Sequence, residues 1–163
     1  MAQHEVETQW MGKMQFNSSV FGHSIVMDAP ERVGGENRGP IPKPFILTAL
    51  SGCTGMDVVS FLRKEGIELK GFDLNVVGEL SKQAPIVYTA VHIIYRIEGD
   101  ANHQQAVWDA IQLSQEQYCG VSFMLKKIMP VTWEIHFNGK MIFDNKPKMQ
   151  TDNQVLSGNP IRQ

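Results

Sequence analysis

The sequence predicts an α+β domain, and three observations carry that prediction. Apolar and polar residues alternate near both ends of the chain, as half-buried strands require. After Pro44, apolar residues recur over 18 residues from Phe45 to Leu62, and Lys64 and Gly66 close the segment, a length that suits a helix. A second helical pattern runs from Asn102 to about Tyr118. With 163 residues, 42% hydrophobic and 20% charged, the chain has the size and composition of one soluble domain, over 1–145, with a polar tail over 146–163.

Taken in order, Val6, Thr8 and Trp10 form a first strand, Lys13 to Phe21 a second and Ser24 to Met27 a third. From Asp28 to Pro42 prolines and glycines break any regular element, leaving a long loop that holds Glu31, Arg32, Glu36 and Arg38. The helix after Pro44 has apolar residues on nearly every side and is expected to be buried all round. At its centre lies Ser51-Gly52-Cys53-Thr54-Gly55. Two glycines inside a helix cost about 1 kcal/mol each against alanine, so something is expected to approach the backbone there.

Glu68 to Leu80 and Ile86 to Glu98 read as two long paired strands. Asn102 is placed to cap the next helix, Cys119-Gly120 interrupts it, and Val121 to Met129 resumes as a short helix. Val131 to Phe143 closes the domain as a hairpin folded at Asn138-Gly139, a type I′ signal. The expected arrangement is helices packed on antiparallel sheet.

Charge and composition also exclude functions. A formal net charge of -2 speaks against a nucleic-acid binder, whose surface would carry a basic stripe. No run of 18 apolar residues suggests a membrane span, and residues 1–10 do not read as a signal peptide, so a cytoplasmic protein is expected. Five scattered histidines and no CxxC pair leave no zinc-ligand spacing, and no metal or resident cofactor is expected. The Gly34-Gly35 pair lacks the spacing of a phosphate loop. His92 and His136 fall in strands, where they are expected to serve packing. Asp57 lies one turn after Cys53 on an apolar helix and calls for a partner, either Lys43, Arg32 or Lys64 in an ion pair or the end of another element.

Cys53 and Cys119 are the two cysteines, too few for a disulfide scaffold. Their contexts carry a resemblance. The stretch from Gly34-Gly35 to Pro42, followed by Phe45-Ile46-Leu47-Thr48-Ala49-Leu50-Ser51-Gly52-Cys53-Thr54-Gly55-Met56-Asp57-Val58-Val59, resembles the OsmC and organic hydroperoxide resistance superfamily. Tyr118-Cys119-Gly120-Val121-Ser122 falls between two helices, where that family has its second cysteine.

The resemblance implies an intertwined homodimer, with antiparallel sheets around two buried central helices and active sites at the subunit interface. It implies a thiol peroxidase acting on organic hydroperoxides. Cys53 would be the attacking thiolate and Cys119 the thiol that resolves its sulfenic acid into a disulfide, reopened by an external dithiol. In the family an arginine from the preceding loop supports the thiolate. Arg32 is the nearest positional match and Arg38 its rival. The family's glutamate, ten positions before the cysteine, is replaced by Lys43. A lysine there favours a thiolate by charge but cannot orient an arginine as a carboxylate does; Glu31 and Glu36 are alternative carboxylates. Cys119, just before a helix start, is expected to gain thiolate character. Arg38 and Lys43 are then substrate-side candidates. The other reading is a non-peroxidase dimer of this fold that binds a small apolar or thiol-reactive ligand.

Overall fold

Alternation in the first thirty residues builds a three-stranded antiparallel sheet of β1 (Glu7–Gly12), β2 (Gln15–Val20) and β3 (His23–Met27). The computed structural model describes residues 3–147, so most of the polar tail lies outside the described residues. Phe21 and Gly22 both take positive φ at the β2–β3 turn, as Asn138 and Gly139 do at the later hairpin. Two successive left-handed residues are what a tight type I′ hairpin needs. Among the described residues, the three-stranded sheet makes no extensive contact with any helix or strand of the remainder, and the loop that follows β3 lies against it. Trp10 is 62% exposed and Phe21 74%, with Met11 and Phe16 also open.

The loop after β3 is ordered, and Asp28 orders it. Its buried carboxylate accepts the backbone N–H groups of Ala29 (2.7 Å), Glu36 (3.0 Å) and Arg38 (3.1 Å). The Arg38 N–H is the main reason its pKa lies below the ordinary range. Gly35 threads so close that a Cβ would fall 1.8 Å from the Ala29 carbonyl oxygen. Because the folded pKa is depressed, this contribution is complete above the unfolded value of about 3.9 and fades as pH falls through the folded value. Asp28→Ala is expected to speed amide hydrogen exchange at Glu36 and Arg38 by at least about tenfold; unchanged exchange would show that the loop is held by other contacts.

Helix α1 (Phe45–Lys64) begins after Pro44 and ends at Gly66 (φ +72°), where the Ile67 N–H returns to the Leu62 carbonyl at 2.9 Å. The expectation of burial on all sides is corrected. One stripe at i, i+4 spacing (Leu50, Thr54, Val58 and Leu62) is buried, whereas Ile46 and Met56 on other faces are exposed, Met56 by 70%. A single copy covers that stripe fully and its flanks, Leu47, Cys53 and Phe61, in part. The close approach expected at the glycines is met at Gly55, where a Cβ would lie 2.8 Å from Leu74 of the adjoining strand. Gly52 faces open space. Among the described residues α1 is long and apolar enough to cross a membrane, but it packs here against sheet and helices.

The second sheet has the order β4 (Gly71–Leu80), β5 (Tyr88–Glu98), β6 (Val131–Phe137), β7 (Lys140–Asp144). It is mixed, which corrects the expected all-antiparallel arrangement: β5 and β6 run parallel, Tyr95 beside Ile135. The chain leaves β5, passes through α2 (Gln104–Leu113) and α3 (Gly120–Lys126), and re-enters from the same end, the βαβ crossover that parallel neighbours require. Asn102 does not cap α2; it lies in a 3₁₀ turn over Ala101–His103, and no side chain caps the helix. Val91, Ile93, Tyr95 and Ile97 of β5 and Val131, Trp133, Ile135 and Phe137 of β6 face the helices and form the core with the α1 stripe. On the far face His92 and His136 do more than pack. Both hydrogen-bond Glu134, at 3.2 and 2.8 Å.

Candidate thiol site

Cys53 and Asp57 are i and i+4 on α1, so both project from one flank, beside the buried stripe. The opposite wall comes from the end of α2. There the helix widens into a π turn over Ser114–Tyr118, where the sequence predicts regular helix. The Cys119 N–H closes that turn on the Ser114 carbonyl at 2.8 Å, and Cys119 then becomes the N-cap of α3. Its sulfur accepts the Ser122 N–H at 3.4 Å. Such turns recur at functional sites because they displace side chains from the regular helical path.

The two sulfurs and a carboxylate oxygen of Asp57 all lie within 4.8 Å of one another. Both thiols are free; Cys53 is half-buried and Cys119 buried. Asp57 does not form the expected ion pair. It accepts the Ser114 hydroxyl at 3.0 Å, and no cation pairs with it among the described residues. Beneath the site runs a buried polar network. Thr54 shares hydrogen bonds with Tyr95 (2.7 Å) and Ser114 (2.9 Å), and the Gln115 amide donates to Tyr95 (2.7 Å) and Thr54 (3.1 Å). The Ser122 hydroxyl donates to the Gln115 amide oxygen at 2.6 Å.

Burial drives the Cys119 pKa well above the ordinary thiol range, the Ser122 N–H offsets this in part, and Cys53 and Asp57 add to the rise. Cys119 is therefore a protonated thiol at neutral pH, contrary to the thiolate expected from its place before a helix. Burial of the sulfur outweighs the short helix behind it. Burial likewise raises the Tyr95 hydroxyl far beyond titration.

The loop candidates lie elsewhere in the single chain. Arg38 pairs with Glu36 at 2.9 Å, and Glu36 also holds Lys13. The Lys43 ammonium donates to the Ile86 carbonyl at 2.6 Å. Arg32 is exposed on a 3₁₀ turn, with no hydrogen-bond or ion-pair partner among the described residues. No hydrogen bond among the described residues joins any of the three to either sulfur. Lys126, which the sequence did not single out, is a cation on α3, near enough to Glu116 and Cys119 for both to favour its charged form. It is held by the Gln115 carbonyl at 2.6 Å and lies 4.7 Å over the Trp133 ring, and burial lowers its pKa. Along the open face of α1 runs an apolar groove of about 820 Å³, lined by Gly52, Met56, Val59, Phe72 and Leu74, with Arg63 and Lys64 at its rim.

Comparison with known proteins shows the family and the fold. The family described as OsmC-like protein matches residues 35–134, which includes both cysteines and Asp57. Protein YhfA of Escherichia coli K12 is 30% identical over 129 residues, 78% of this chain and 93% of that protein. The crystal structure of a hypothetical protein from Aquifex aeolicus VF5 superposes with a TM-score of 0.69 at 26% identity, covering 84% of this chain and 98% of that one. A structure from Legionella pneumophila, described as an organic hydroperoxide resistance protein OsmC, shares the fold with a TM-score of 0.61 at 13% identity, over 83% and 98% of the chains. The cysteine-bearing helix, the second cysteine at a helix junction and the match over both place this chain in the OsmC-like family.

Proposed function

We propose that this protein is a thiol-dependent peroxidase that reduces organic hydroperoxides. The observation that carries the proposal is a half-buried Cys53 whose sulfur lies within 4.8 Å of a second free thiol on another element. The Cys53 thiolate attacks one oxygen of the peroxide O–O bond. The alcohol leaves after taking a proton, and Cys53 becomes a sulfenic acid. The Cys119 thiol then condenses with it, releasing water and forming a disulfide, which an external dithiol returns to two thiols.

A thiolate needs positive charge nearby, and among the described residues of one chain none is bonded to Cys53. A second copy is the source this reading requires. The uncovered face of α1 and the three-stranded sheet, with Trp10 and Phe21 exposed, are apolar surfaces that a homodimer would bury. In that dimer Arg32, without a partner among the described residues, is the guanidinium brought to Cys53. Light scattering should give twice the chain mass, and Met56→Arg should halve it; a wild-type monomer would remove the dimer from this reading.

The test of activity is titration of the reduced protein with cumene hydroperoxide, followed by mass spectrometry. Rapid loss of two thiols per chain as one intramolecular disulfide is expected. Oxidation no faster than that of free cysteine would overturn the peroxidase. The missing cation at Cys53 favours, in that case, a dimer that binds a small apolar or thiol-reactive ligand.

A further inference from the structure

We propose that Cys53, Asp57 and Cys119 form a binding site for one divalent cation of the zinc class. The inference does not depend on Cys53 reacting with peroxides. The histidines offer no ligand spacing, and the site is assembled instead by the fold, from two residues one turn apart on α1 and a third at the junction of the π turn and α3. Two sulfurs and a carboxylate oxygen within 4.8 Å of one another are close to the separation that a shared ion imposes. With zinc–sulfur bonds of about 2.3 Å, two thiolates on one tetrahedral ion lie about 3.8 Å apart. Small side-chain rotations bring the set together.

Two of the three donors are already oriented by outer partners, as metal ligands characteristically are. The Ser114 hydroxyl donates to one Asp57 oxygen at 3.0 Å, and the other oxygen has no hydrogen bond among the described residues. The Ser122 N–H donates to the Cys119 sulfur at 3.4 Å. Ser114 is in turn fixed by Thr54. The donor set is soft, two thiolates and one carboxylate, which selects zinc or cobalt over magnesium or calcium. Both sulfurs bind as thiolates, so a cysteine that carries a proton releases it to solvent when the ion binds. Cys53 and Asp57 are half-buried, which leaves the ion's fourth position on the accessible side for water.

The test is anaerobic titration of reduced, chelator-treated full-length protein with Co²⁺. The expected result is a thiolate-to-cobalt charge-transfer band with tetrahedral d–d bands, saturating at one cobalt per chain, abolished by Zn²⁺ and untouched by Mg²⁺. Asp57→Asn keeps an acceptor for Ser114 but removes the charge, and should weaken cobalt binding at least about tenfold. Bound zinc should protect Cys53 from alkylation. Absence of a charge-transfer band in the wild-type protein, which needs no variant, would overturn the site; so would an Asp57→Asn affinity equal to wild type. The peroxide reaction is measured on metal-free protein, so failure of either idea leaves the other result standing.

Discussion

Cys53→Ser should lower the rate of reaction with cumene hydroperoxide on the order of a hundredfold or more, because a serine hydroxyl is not ionised at neutral pH and is a poor nucleophile toward peroxide. Cys119→Ser should behave differently. Its buried thiol is protonated and does not attack peroxide, so the first step survives. The reaction should then stop at one oxidised thiol per chain, a sulfenic acid on Cys53 that dimedone traps. If Cys119→Ser slowed the first step as much as Cys53→Ser, the assigned roles would be wrong. The two arginines separate in the same assay. Arg38 is engaged by Glu36, so Arg38→Gln should leave the rate nearly unchanged. Arg32→Gln should slow it about tenfold, the effect of withdrawing the positive charge that favours the thiolate. Equal effects of both variants would place the supporting charge elsewhere.

What the sequence made legible here is what periodicity and punctuation encode. The segment from Pro44 to Gly66 is a helix because a proline starts it and a left-handed glycine ends it, and Asn138-Gly139 is a hairpin because both residues take positive φ. The parallel pairing of β5 with β6 was not legible, since alternation reports which face a residue occupies and not the direction of its neighbour. The site divides in the same way. Cys53 and Cys119 stood out by residue type and local context. The π turn did not, because nothing in Ser114-Gln115-Glu116-Gln117-Tyr118 differs from an ordinary polar helix face. Without that turn the inward positions of Ser114 and Gln115 could not be foreseen, nor could the partner of Asp57. A buried carboxylate can be satisfied by a hydroxyl as readily as by a cation, and the sequence around Asp57 offers both. The one available signal was the polar Thr54 on the buried stripe of an otherwise apolar helix, which requires a partner across the core.

Gln115→Leu tests that buried network and is expected to destabilise the protein by about 2–4 kcal/mol, from an unsatisfied buried hydroxyl and lost hydrogen bonds. The exchange nearly conserves volume, so the loss reports polarity more than packing. Gln115 is the centre of the network, donating to Tyr95 and Thr54 and accepting from Ser122. With leucine there, the Ser122 hydroxyl loses its side-chain partner while Tyr95 keeps only Thr54. Thermal unfolding should shift down by about 5–15 °C for a chain of this size. Tyr95→Phe removes the hydroxyl itself and leaves Gln115 its bond to Thr54, so it should cost less, about 1 kcal/mol. Combining the two should cost less than their sum, because one of the bonds lost is shared between them. Strict additivity would show that the network members act independently. The same variant reaches the thiol site through its geometry. Ser114 orients Asp57, and Ser122 holds both the Gln115 amide and, by its N–H, the Cys119 sulfur. Gln115→Leu should therefore slow disulfide closure after Cys53 is oxidised while leaving the first oxidation step nearly unchanged. A network that only stabilised the fold would lower the unfolding temperature without separating those two rates.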